Sequence, residues 1–122
     1  MKKIKGYVDA MVESGKDNKA EFEKYFTQYN FEDFLSMKAE RYFKNEQILS
    51  LFTNIQSSID DISKEELIKN LETIKKGYEK TRLTNNPINF STNPITNMVR
   101  LWHFEVYAEL IKHIDIMLNR YL

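Results

Sequence analysis

At the 100° per residue of an α-helix, the apolar positions of this chain fall into five runs. In residues 2–14, Ile4, Tyr7, Val8, Met11 and Val12 recur at helical spacing. Ser14-Gly15 then stands where a helix would stop, since glycine is common just past a last turn. Asp17 or Asn18 caps a second short helix with Phe22, Tyr25, Phe26 and Tyr29 on one face. Both helices are too short to persist alone, so they are expected as a hairpin leaning on longer elements. Residues 31–60 predict a long helix whose apolar side chains form seven-residue ladders. One holds Leu35, Tyr42 and Leu49, another Phe52 and Ile59, a third Phe34, Ile48, Ile55 and Ile62. That repeat favours the left-handed packing of helix bundles. Lys38, Arg41 and Asn45 interrupt the ladders. They are read as snorkelling stems on an exposed edge, with a polar patch that fixes register or meets a partner as the sharper alternative.

Ser63-Lys64-Glu65-Glu66-Leu67 has the spacing of a capping box, and Ile62 with Leu67 that of a hydrophobic staple. A new helix therefore starts at Lys64, antiparallel to the one before it. It turns Leu67, Ile68, Leu71, Ile74 and Tyr78 inward and carries Lys75, Lys76, Lys80 and Arg82 toward its C-terminal end, where cations complement the helix dipole. Between Thr84 and Asn93, Asn86-Pro87-Ile88 and Asn93-Pro94-Ile95 repeat a short motif and predict a pinned loop that crosses the end of a bundle.

Asn93 before Pro94 is a helix start. From there to Leu122 no Gly or Pro interrupts, so about 28 residues, on the order of 40 Å, are expected as one helix. Val99, Val106, Tyr107, Leu110, Ile111, Ile114, Met117, Leu118 and Tyr121 make a broad apolar face, which Leu101, Phe104, Ala108 and Leu122 widen. Ile95, Met98, Trp102 and Ile116 lie beyond its other edge, and only Glu105, Glu109, Lys112 and Asn119 form a clear polar strip. A surface helix needs an apolar stripe of roughly 100°; this one has more, so it is either central or buries a partner.

Composition narrows the class. With 42% hydrophobic and 30% charged residues in 122, the chain belongs with folded proteins and is expected as a single domain, 1–122. Three Gly and two Pro leave few helix breakers. The formal net charge of zero lacks the excess of positive charge that neutralises phosphates in nucleic-acid binders. Without cysteine there is no disulfide framework, zinc ribbon or thiol nucleophile. No long apolar run or cleavage site follows Met1-Lys2-Lys3-Ile4-Lys5, so no signal peptide is expected and the chain is taken as cytoplasmic. The preference for Lys over Arg, with many Asn and Ile, resembles proteins of AT-rich bacterial or phage genomes.

Candidate chemistry is sparse. The histidines, His103 and His113, both fall on the last helix. Glu109 and His113 are four apart, whereas the di-metal bundles need Glu-x-x-His twice plus further glutamates. No metal, cofactor or catalytic residue is therefore assigned. His103 is expected as a core or interface histidine hydrogen-bonded to Tyr or backbone, with Arg100 and His103 together as a polar contact. No phosphate loop, nucleophile triad or inward carboxylate cluster is present, so an enzyme is not expected.

The fold expected is an all-α bundle of four to five helices with long antiparallel members and a largely buried C-terminal helix. The function expected is a non-enzymatic protein-binding module, such as an inhibitor, immunity protein, adaptor or mobile-element accessory factor, and a homodimer. Met98, Trp102, Phe104, Ile111 and Ile116 are its candidate interface, because large apolar patches mark association sites and aromatics and Met are enriched there. The alternative is a DNA-associated regulator that presents two basic clusters, Lys2, Lys3 and Lys5 and the Lys75–Arg82 group, on a helical dimer.

Overall fold

The computed structural model describes residues 1–27, 29–86 and 90–122, and every regular element among them is helical. Helix α1 spans Lys2–Glu23. A single turn, α2 (Phe31–Asp33), runs through a wider π-helical turn, Phe34–Lys38, into α3 (Ala39–Ser58). Then come α4 (Lys64–Thr84) and α5 (Pro94–Ile116), which ends in a second π-helical turn, Met117–Tyr121. The molecule is an all-α bundle with four long helices.

The N-terminal hairpin expected from Ser14-Gly15 does not form. One helix of 22 residues runs straight through it. Gly15 is buried against α3, where an added Cβ would meet Leu49 Cδ1 at 2.9 Å and Leu49 Cβ at 3.3 Å. Asn45 of α3 donates from Nδ2 to the Gly15 carbonyl at 3.0 Å. The glycine permits close approach of two helices instead of ending one. Asn45 is thus a polar bond across the helix pair, not an exposed edge residue.

The cross-helix pairs fix directions. Lys5 with Asp60 (2.9 Å), Gln56 with Asp9 (2.9 Å) and Lys19 with Glu46 (3.4 Å) set α1 antiparallel to α3. Lys44 with Glu105 (2.7 Å) and the Phe52 ring on His113 (5.3 Å) share one sequence offset, which makes α3 and α5 parallel. Lys75 with Asp115 (2.8 Å) and the Tyr78–Tyr107 stack (5.3 Å) set α4 antiparallel to α5. The end of α1, the start of α3, the end of α4 and the start of α5 therefore meet at one end of the bundle.

The core fills the opposite end. Ile4, Val8 and Val12 pack with Leu51, Phe52, Ile55 and Ile59, with Leu67 and Leu71, and with Val106, Leu110, Ile114 and Met117. Each such side chain, fully buried, contributes roughly 1.5–3 kcal/mol, so this packed end supplies most of the stability. At the other end only a satellite forms, in which Phe34 meets Phe26 (4.8 Å) and Tyr42 (5.6 Å).

Two local starts follow the sequence. Ser63 Oγ accepts from the Glu66 N–H at 3.1 Å, and Asn93 Oδ1 accepts from Ile95 and Thr96 N–H at 3.0 and 3.1 Å, with Pro94 in the first turn. Pro87 and Ile88 of the first copy of the repeated loop motif lie outside the described residues. The end of the loop is tied down: Asn97 bonds the Ser91 backbone through both Oδ1 and Nδ2. Although α3 and α4 are consecutive, the close helix packings are α1 on α3, α4 on α5 and α3 on α5. A groove remains between α3 and α4.

Candidate functional site

The π-helical turn decides what the open end displays. Its extra residue shifts the helical register, so Phe34 turns inward and Leu35, expected on the Tyr42 ladder, faces solvent at 57% exposure. Met37 is more exposed still, at 69%. With Phe26, Tyr29 and Phe31 these side chains form one apolar corner. The other corner holds Leu83 from α4, Phe90, and Ile95, Met98 and Val99 from the start of α5. Among the described residues, all the markedly exposed large hydrophobics except Met1 lie at this end.

The corners differ in charge. Between Phe26 and Met37 the only ionisable acids or bases of the Asp, Glu, Lys and Arg kind are Glu32 and Asp33, both exposed. Between Leu83 and Val99 there are none, and Arg82 and Arg100 flank the stretch. The Arg82 guanidinium lies 4.0 Å above the Phe104 ring, and its Nε donates to the Phe104 carbonyl at 3.1 Å. That contact ties the end of α4 to α5.

The five residues expected as an interface do not share one patch. Met98 stands exposed at the open end. Trp102 is half-buried against Phe43 at 5.8 Å, and Phe104 is half-covered by Arg82. Ile111 and Ile116 lie further along α5, half-buried in a shallow depression with Lys112, Asp115 and Arg120. Trp102, Phe104 and Ile111 are thus only partly enclosed by their own chain. Arg100 is half-buried beside them in sequence. Tyr29, Phe31, Leu35 and Met37 were missed, although Phe31, Phe34, Leu35 and Met37 are too many apolar residues for one helix face.

His103 is held by rings: Phe43 meets it edge-on at 4.9 Å and Tyr107 stacks on it at 5.4 Å. Its buried Nδ1 has no hydrogen-bond partner among the described residues, contrary to the bond expected there, and burial lowers its pKa. His113 makes the tyrosine bond instead, with Nδ1 3.2 Å from the Tyr7 hydroxyl, while Tyr7 stacks on Tyr121 at 4.6 Å. Burial pushes the His113 imidazole down, against an upward pull from Glu109 and with a smaller push from Lys112. Among the described residues, neither ring shares a hydrogen bond with a carboxylate. Among the described residues, no group of three or more His, Asp or Glu is placed to hold a metal ion. Among the same residues, no helix is long and apolar enough to cross a membrane.

No family model, curated protein sequence or solved structure matches this chain.

Proposed function

We propose that this chain is a small, non-enzymatic protein-binding module of the cytoplasm that acts through the apolar open end of its bundle and pairs there with a second copy. The carrying observation is the concentration of exposed hydrophobics in two corners at that end. Apolar side chains scattered singly over a surface need no explanation, whereas a gathered patch favours association. Charge supports self-pairing. In a two-fold dimer, the corner bearing Glu32 and Asp33 on one copy faces the corner flanked by Arg82 and Arg100 on the other, and the reverse contact follows by symmetry. Such a module would mask or bridge another protein, as an inhibitor, immunity protein or mobile-element adaptor does.

A DNA-associated regulator is the weaker alternative, because Lys5 and Lys75 of the two basic clusters face Asp60 and Asp115. Sedimentation equilibrium tests the preferred function. The wild type is expected to dimerise at micromolar concentration, and Leu35→Lys and Met98→Lys to remain monomeric with unchanged helical circular dichroism. A wild type that stays monomeric at tens of micromolar removes the self-pairing. Salt-sensitive binding to random duplex DNA would favour the alternative.

A further inference from the structure

The groove between α3 and α4 has a volume of about 280 Å³ and lies along the bundle side, away from the two apolar corners. Its floor is sealed by Leu51, Ile55, Leu67 and Leu71, which belong to the core. Its rim carries Gln47, Ser50 and Asn54 from α3 and Asn70 from α4, and Tyr78 lies at one end. No Asp, Glu, Lys or Arg lines it, in a chain that is 30% charged. The side chains of those four rim residues form no hydrogen bond with the other described residues, so their donors and acceptors are open to an incoming molecule. An apolar floor with a few converging polar groups is the usual make-up of a small-molecule site.

We infer that this groove binds an uncharged small molecule with an apolar body and an amide- or hydroxyl-like hydrogen-bonding edge. An ionised ligand would give up hydration without meeting a counter-charge. A neutral one exchanges water for the floor, and amides both donate and accept, so either sense of ligand hydrogen bond is met. Tyr78 is braced by its stack on Tyr107 and offers a fixed ring to a flat ligand. The volume lies near the lower limit for such pockets, roughly 300 Å³, which limits the ligand to a small one.

The test is titration of full-length protein with N-phenyl-1-naphthylamine, a neutral dye with one N–H, followed by fluorescence and by amide NMR. Anilinonaphthalene sulfonate serves as the anionic counterpart. Saturable one-to-one binding is expected, at least tenfold tighter than for the anion, with shifts in the Asn54 and Asn70 side-chain amides. Ser50→Trp, at an exposed rim position, should fill the groove and weaken binding tenfold or more with helical content unchanged. Met98→Lys, which alters the open end, should leave it intact. Shifts confined to Leu83, Met98 and their neighbours, equal affinity for both dyes, or no effect of Ser50→Trp would overturn the inference. Because the groove and the open end are separate surfaces, either assignment can fail without the other.

Discussion

Gly15 and Asn45 mark where α1 and α3 come closest, and the two act together. A methyl group at Gly15 would press on Leu49, whose Cβ belongs to a fixed backbone and cannot swing away. Gly77, by contrast, has nothing within 4 Å of a built Cβ. Gly77→Ala should therefore raise stability by up to about 1 kcal/mol, the helix-propensity difference, while Gly15→Ala should lose that gain to strain. Urea unfolding of the two variants checks this, and equal stabilisation by both would remove the close-approach role. His113 gives a pH-dependent outcome. Burial favours its neutral form in the folded state, so the unfolded chain takes up the proton first. Its contribution is complete above the ordinary imidazole value of about 6.5 and is lost as pH falls from there through the lower folded value. His103 is shifted in the same direction by burial and adds to the loss. The urea midpoint should fall on acidification through this range, and less steeply in His113→Asn. An unchanged slope would mean that His113 does not carry its share.

At the scale of elements, helix starts are where local chemistry was decisive. Asn93 satisfies two backbone N–H groups of α5 through one oxygen. Asn93→Ala should cost about 1 kcal/mol and Asn93→Gly only a few tenths, measured by thermal or urea unfolding; indistinguishable variants would mean that water replaces the cap at no loss. Ser63 and Asn93 were legible because a cap needs only a side-chain oxygen and the first turn beside it. Gly15 was misread because a glycine that ends a helix and one that admits a neighbouring helix look alike until the neighbour is placed. The π-helical turn was invisible for a related reason. Seven-residue ladders assume an unbroken register, and the extra residue at Phe34–Lys38 puts Phe34 beside Tyr42, where Leu35 was expected, and turns Leu35 to solvent.

Across the whole molecule the two ends are unlike. The core residues of all four helices lie toward one end, and the apolar corners at the other are half-solvated. Amide hydrogen exchange should follow that division, since protection tracks buried contact density. The slowest amides are expected around Val8, Phe52, Leu71 and Ile114, and the fastest around Tyr29–Met37, Leu83–Asn86 and Phe90–Val99. Uniform protection along α5 would contradict the division.

By itself, the sequence determined the helical class, the starts at Ser63 and Asn93, and the excess of apolar positions on the last helix. These depend on 3.6-residue periodicity and on caps, which act within a turn or two. Tertiary structure alone decided that α1 continues through Gly15, that α3 and α4 part to leave a neutral groove, and that the exposed hydrophobics from four separate segments meet at one end. Those features depend on which helices become neighbours and in what direction. Contacts between distant segments set both, and a local pattern carries no record of them.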